Sequence, residues 1–302
     1  MSTHLVHILK HNSRLSVDRG CLVCEHEDEK RRLPLADILA VIVASRGVSF
    51  SAETLSALIV NGAIILHCDH NYRPIGKTAG LSNIVHVGTF ESQLAMNKTM
   101  ADNIWEKIII KKIENQAYLL DYLKTEHKLW EYLSANNIDE GNAARHYWSF
   151  YFKQFGRKNP KTRERKGAGD PVNSMLNYGY AVLGAILHRS LLAHGLNTSI
   201  GIHHKTHFKS DPLLYDALEP LRPVCDFLLL KYRQNNPSAK IEDWVKEAAK
   251  NILFCKIQTD DKKLKLVNAV DFYAASLANV YRFGDIKTLF IPSVKGVIFG
   301  ED

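Results

Sequence analysis

Long apolar runs are missing from this 302-residue chain. Without a stretch of about 18 apolar residues it offers no membrane-spanning helix. Its first ten residues lack the apolar segment of a secretory signal, so a cytosolic protein is the expectation. Cysteine is sparse and odd in number: Cys21, Cys24, Cys68, Cys225 and Cys255. That count, with no secretory signal, argues against a disulfide framework. Cys21 and Cys24 form a CxxC with no second pair to complete a zinc site, and we read them as residues of a short strand beside Arg19-Gly20. A nucleotide-phosphate loop is absent too. Gly76-Lys77-Thr78 resembles its end, but Asn71 stands where the first glycine belongs.

What is present supports a packed core: 46% apolar and 24% charged residues. The length allows two domains. A net charge of +7 favours a polyanion partner without identifying it.

The hydropathy pattern changes character along the chain. Residues 1–76 read as short strands. Apolar pieces on either side of Asp18-Arg19-Gly20 predict a hairpin, and 39–43 and 63–67 predict buried strands. Between them, 51–61 predicts a short helix capped by Ser51, with Leu55, Leu58 and Ile59 on one face. Residues 69–76 are turn-rich, and 77–92 read as a linker with one short extended piece. From Leu94 onward the period is helical. Met96, Met100, Ile104, Ile108 and Ile113 predict a long helix reaching toward 133, with their side chains in the core. Further helices are expected over 140–155, 171–194, 212–235, 240–251 and 262–282. The fold class is therefore α+β: a small N-terminal β domain with one short helix, a linker, and a larger all-α domain over 93–302.

Residues 201–223 hold the strongest chemical signal. Asp216 and Glu219 are three apart and share a helix face. Two acids converging with a histidine make a small metal site of oxygen and imidazole donors. In a basic chain, that points to metal-dependent chemistry on phosphate esters. Gly201 marks a turn before His203 and His204, which as neighbours point different ways, so one of them at most is a ligand; His207 competes. Arg222 is placed to neutralise an acid. Pro220 removes a backbone donor and should disturb the helix there.

Three upstream stretches add to this. In 139–148, Ala143 and Ala144 follow Glu140 and permit close approach of another element. Arg145 is placed to orient a carboxylate or contact a phosphate, while Tyr147 and Trp148 have the bulk of core or stacking groups. In 153–166, Lys153, Arg157, Lys158, Lys161, Arg163, Arg165 and Lys166 face only Glu164. Gly156 and Pro160 make this a loop that could follow a DNA backbone without reading bases. At 170–180, Asp170 caps a helix with Pro171 at its first position. Asn173, Asn177 and Tyr178 then either face a site or are satisfied polar groups of the core.

In order, these motifs resemble one family, the CRISPR-associated Cas one integrases of spacer acquisition. The resemblance covers nearly the whole chain. It runs through Glu140 with Ala144, Arg145 and Tyr147-Trp148, then Asp-Pro-x-Asn-x-x-Leu-Asn-x-x-Tyr over 170–180. Gly201-x-x-His204 follows, and then Leu213, Asp216, Glu219, Arg222 and Pro223. The length and the Gly-Ile-His-His wording are similar to type II systems. The resemblance implies that Glu140, His204 and Glu219 are the catalytic metal ligands, and it selects His204 over His203. It makes Asp216 a supporting acid, and magnesium or manganese the ion. Arg145, Arg157, Lys158, Lys161, Arg163, Arg165, Lys166, Asn173 and Tyr178 are the expected DNA-binding residues. The implied reaction is attack by the 3′-hydroxyl of a captured DNA on a phosphodiester of the CRISPR repeat, with some hydrolytic DNA cleavage at the same site. The implied assembly is a homodimer held through residues 1–76, two such dimers being bridged by a dimer of the small Cas two protein into a heterohexamer on double-stranded DNA in the prokaryotic cytoplasm. Two other readings use the same residues: a metal-dependent nuclease on branched DNA, and a non-enzymatic DNA-binding scaffold.

Overall fold

The computed structural model describes residues 4–80, 87–134, 138–156, 163–164, 170–205, 211–258 and 263–298. The hairpin forms where expected. Strands β2 (Arg14–Asp18) and β3 (Cys21–His26) are joined by Arg19 and Gly20, both at positive φ (48° and 74°). Two such residues in succession are what a two-residue primed turn requires. Strand β4 (Glu29–Pro34) pairs with β3, and β6 (Ser49–Phe50) lies parallel to β2, so the sheet runs β4-β3-β2-β6. All five cysteines are free, with Cys21 and Cys24 on β3.

A second sheet runs β1 (His4–Ile8), β5 (Ile38–Val43), β7 (Ile64–Cys68), β8 (Pro74–Thr78). Its first three strands are parallel and β8 is antiparallel. Every residue of β5 is buried. Ile38, Val41 and Val43 meet Leu15, Leu22 and Leu58 between the two sheets. Leu39 and Ile42 enter the core of the helical region with Leu66. A strand covered on both faces reads as an unbroken apolar run, as 38–43 does. The short helix α1 (Ala52–Val60) is capped by the Ser51 hydroxyl, which accepts from the Thr54 amide.

The connection to the helical region is more structured than a linker. Strand β8 ends at Thr78, two residues past the expected boundary at 76, and α2 (Val87–Leu94) begins before 92. Gln93 of α2 is buried because its amide clasps a distant loop. Its Nε2 donates to the Asn197 and Ile200 carbonyls at 2.9 and 3.0 Å, and its Oε1 accepts from the Asn197 amide at 2.9 Å.

The long helix is α3 (Lys98–Tyr122). It stops short of 133 because Lys124 turns left-handed (φ 52°), and a separate α4 (Leu129–Ser134) follows. Then come α5 (Glu140–Tyr151), α6 (Pro171–Ala193), α7 (Pro212–Leu218), α8 (Arg222–Asn235), α9 (Ile241–Phe254) and α10 (Leu266–Phe283). The helix expected over 212–235 is thus two helices joined by a 3-10 turn, Glu219–Leu221, at Pro220. A small antiparallel sheet, β9 (Lys256–Gln258) between β10 (Lys263–Lys265) and β11 (Val297–Ile298), is added to the helical part. No helix among the described residues is long and apolar enough to cross a membrane.

Helix α6 is the axis of the molecule. It packs on β5 and β7 and also on α8, α9 and α10. The Tyr178 hydroxyl lies 2.6 Å from His7 Nε2 on β1, joining the two parts of the chain. Burial pushes His7 down to about 4, and His188 of α6 likewise to about 4. Their folded-state pKa lies below the unfolded ~6.5, so this contribution to stability is whole above about pH 6.5 and is lost as pH falls through about 4. Replacing His7 with Gln, which carries no proton in this range, should narrow the gap between melting temperatures at about pH 7 and about pH 4.5. Thermal unfolding followed by circular dichroism checks this; an unchanged gap would mean that His7 is not a source of acid sensitivity.

Candidate active site

Glu140 is the first residue of α5, whose cap is the Asp139 side chain accepting from the Asn142 amide. A helix start exposes unpaired amides and suits an acid. Glu219 sits in the 3-10 turn that Pro220 forces between α7 and α8. Asn115 of α3 steadies that turn. Its Nδ2 donates to the Pro220 carbonyl at 2.8 Å and to the Pro292 carbonyl at 3.1 Å, while its Oδ1 accepts from the Val294 amide at 2.9 Å.

Glu140 and Glu219 meet on one cation. The Lys112 ammonium of α3 is 2.6 Å from Glu140 Oε1 and 2.6 Å from Glu219 Oε2. The other Glu219 oxygen takes the Arg222 Nε at 3.1 Å. Lys112 and Glu219 are buried, whereas the Glu140 side chain is 40% exposed and marks the open side. Arg222 also lies over the Tyr180 ring, 4.8 Å from its centroid.

The histidine arm is built around Asp216, which is fully buried. One of its oxygens accepts from three successive amides, those of Ile202 (2.8 Å), His203 (2.8 Å) and His204 (3.2 Å). The other oxygen contacts His204 Nδ1. With that nitrogen donating to the carboxylate, Nε2 presents the ring's lone pair, the arrangement that orients imidazole ligands. Gly201 is required by close approach: a Cβ there would fall 2.2 Å from the His204 carbonyl oxygen and 2.8 Å from Pro212 Cβ. His203 does something else. It lies flat on Trp105 (centroids 4.4 Å, planes 4° apart), while His204 meets Trp105 edge-on. His207 lies outside the described residues.

Among the described residues, no three His, Cys, Asp or Glu side chains converge closely enough to hold one ion. The structure brings Glu140 and Glu219 together through Lys112 and leaves His204 on Asp216. The physical reason is that an ammonium fills the point shared by the two carboxylates. The donor chemistry still fits a divalent ion: two carboxylates already converge on one cation, beside an imidazole with a carboxylate on its other nitrogen.

Several expected DNA contacts are placed elsewhere. Asn173 is fully buried; its amide donates to Asp170 at 2.6 Å and its carbonyl accepts from Arg163 at 2.8 Å. Tyr178 is fully buried against His7. Arg163 is half-buried. It donates to Asn177 at 2.6 Å and lies over the Tyr180 and Trp148 rings, 5.2 and 5.8 Å from their centroids. Arg163 and Asn173 satisfy each other, because a guanidinium taken from water needs fixed acceptors and aromatic faces, and Tyr178 is satisfied by His7. For Asn173 and Tyr178 this is the second of the two expected roles, satisfied polar groups of the core, and Arg163 likewise has its partners within the protein. Arg145 is exposed and bonds Asn142, not a carboxylate of the site. Arg157, Lys158, Lys161, Arg165 and Lys166 lie outside the described residues.

The sequence reading passed over Lys112 and Asp226. Lys112 falls in the apolar row of α3 with Ile108, Ile109 and Ile113, and a lysine at a core position is itself a signal. Asp226 of α8 accepts from the hydroxyls of Tyr147 (2.8 Å) and Tyr180, and its carbonyl accepts from Tyr151 at 2.9 Å. Burial pushes it up to about 6, against the pull of the two tyrosine hydroxyls. It fixes α5, and so Glu140, against α8.

Replacing Asp216 with Ala should cost about 3 kcal/mol or more, since it strips three amides and an imidazole of their buried acceptor. Urea unfolding checks this, and a loss within about 0.5 kcal/mol, the range of surface substitutions, would show that the 201–204 loop is held by other means.

Known proteins share this architecture. The family model described as CRISPR associated protein Cas1 matches residues 6–264. The CRISPR-associated endonuclease Cas1 of Neisseria meningitidis serogroup C (strain 8013) is 28% identical over 300 residues, covering 95% of each chain. A casposase bound to integration product superposes with a TM-score of 0.80 at 19% identity, covering 98% of this chain and 93% of that one. A chain of a Cas6-RT-Cas1–Cas2 complex gives 0.76 at 19% identity, covering 95% of this chain and 36% of that one. The two structural likenesses establish the fold. The family match along most of its length leaves one conclusion: the chain belongs to the CRISPR-associated Cas1 family.

Proposed function

We propose that this protein is a DNA integrase of CRISPR adaptation that also cleaves DNA. The observation that carries this reading is the meeting of Glu140 and Glu219 on one cation, within a chain of this family. Its similarity to a CRISPR-associated endonuclease, and in fold to a casposase bound to integration product, supports it. In the reaction, the 3′-hydroxyl of a short DNA attacks a phosphodiester at the end of a CRISPR repeat. A new 3′-O–P bond forms, the P–O3′ bond of the repeat breaks, and the hydroxyl proton passes overall to the departing 3′ oxygen. The number of phosphodiesters is unchanged, so no high-energy cosubstrate is needed. Water in place of the hydroxyl gives cleavage.

Glu140, Glu219 and His204 would hold a magnesium or manganese ion. Such an ion, when bound, supplies Lewis-acid polarisation of the phosphate and stabilises charge on the leaving oxygen. The protein's own contribution is orientation. Asp216 holds the His204 ring, Arg222 holds one oxygen of Glu219, and Asp226 locks α5 on α8. Fixed placement of the reacting groups supplies much of the remaining rate. We further propose a homodimer formed through residues 1–76, where Val60 and Ile75 are exposed apolar residues, and assembly with the small Cas2 protein on double-stranded DNA. The complex that includes one structural neighbour contains Cas2. The prokaryotic cytoplasm is the proposed location.

A strand-transfer assay tests this. The protein and its Cas2 partner are mixed with a labelled duplex bearing free 3′-hydroxyls and a plasmid carrying the CRISPR leader and repeat. Label should join the plasmid with manganese and not with chelator. Joining should fall at least about a hundredfold in Glu140→Ala, His204→Ala and Glu219→Ala. Nicking without joining would favour a nuclease on branched DNA, and DNA binding with neither product would favour a scaffold. If about six phosphates are contacted, log affinity should fall with log salt at a slope near −5. Arg163→Ala should leave that slope unchanged, because Arg163 is spent on internal partners.

A further inference from the structure

Lys112 stands at the centre of this site, and the proposed reaction does not use it. Its ammonium touches an oxygen of each proposed carboxylate ligand at 2.6 Å, and its side chain is 8% exposed. Lys112 and Arg222 together balance the charges of Glu140 and Glu219, so the cluster is neutral as it stands. A divalent ion bound to both carboxylates would lie about 2.1 Å from the same oxygens. It would then stand within about 4 Å of the ammonium, where like charges in a poorly solvated site repel strongly. The two cations cannot share that point. A lysine suits such a place, being a compact charge on a four-carbon flexible stem that can fill the gap between two oxygens and leave it.

We propose that Lys112 is a stand-in cation: it holds Glu140 and Glu219 together in the metal-free protein and is displaced when a divalent ion binds them. The proposal rests on the metal reading above. It explains why two acids stay paired at a site that is partly buried before the ion arrives. It also implies that the displaced ammonium needs a new anionic partner, which a DNA phosphate supplies, so that metal and DNA favour each other's binding.

Two measurements on the full-length protein test it, neither of which reads activity. In the first, manganese binding without DNA is followed by the spectroscopic signal of the free ion. Lys112→Gln should bind manganese about tenfold tighter than the unaltered protein, while Lys112→Arg, which keeps the charge, should not. Equal or weaker binding by Lys112→Gln would overturn the proposal. In the second, the unaltered protein is treated with an amine-acetylating reagent and Lys112 is quantified by mass spectrometry. Lys112 should be protected without metal and become several-fold more reactive on adding manganese, and not in Glu219→Gln. Unchanged reactivity while manganese binds would overturn the proposal and leave the metal reading intact. No Glu219-dependent manganese binding in any variant would sink the metal reading itself, and the stand-in role with it. The second measurement decides the matter even if Lys112→Gln fails to fold.

Discussion

Setting a buried carboxylate, Glu219, beside a second, partly exposed one, Glu140, requires a cation between them, and the helical part of this protein is arranged to provide one. Leaving Glu219 unpaired in a poorly solvated site would cost several kcal/mol. Lys112 meets that demand from α3, the same helix whose Asn115 catches the Pro220 carbonyl and the Val294 amide. One helix thus sets the charge balance of the site and also the backbone path of the turn that carries Glu219. The apolar residues of α3 on the same face, Ile104 and Ile108, are fully buried, so the polar pair is held by a wall that cannot shift without opening the core.

Asp216 and Glu219 have distinct tasks. Asp216 faces the preceding loop and spends both oxygens on it, which organises the amides of 202–204 and orients His204. Glu219 faces α3 and α8 and spends its oxygens on Lys112 and Arg222. His203 and His204 divide in the same way, one flat on Trp105 and the other held by Asp216. Farther from the surface, Asp226 gathers three tyrosines from α5 and α6 and sets the distance between the helices that carry Glu140 and Arg222.

Much of this was legible in the residues. The Arg19-Gly20 turn, the Ser51 cap and the unbroken apolar run of β5 follow from local rules, and the structure has all three. Pro220 announced the break in the helix over 212–235. Local rules failed where long-range partners decide the outcome. In one dimension Asn173 and Tyr178 fit a site or the core equally well, and Arg163 looks like part of a solvated basic loop. Each finds its partner inside: Arg163 on Asn173, ten residues away, and Tyr178 on His7 at the other end of the chain. Lys112 carries no motif, and its role comes from two acids that sequence distance hides from it. The left-handed Lys124 that ends α3 sits among ordinary helix formers, so nothing in the hydropathy pattern marks it.

The 3-10 turn at Pro220 has a consequence for direction. Along a regular α-helix, residues three apart lie within about 60° of each other around the axis, so Asp216 and Glu219 on an unbroken helix would project toward similar neighbours. Each residue of a 3-10 segment advances about 120° instead of about 100°, and the axis restarts beyond it. The turn Glu219–Leu221 therefore acts as an angular gearing between α7 and α8. It lets one short stretch of backbone aim an anchoring acid backward at a loop and a second acid sideways at another helix. An insertion or deletion of one residue there would rotate everything from Arg222 onward by roughly a quarter turn or more, so the length of this segment is constrained independently of its side chains.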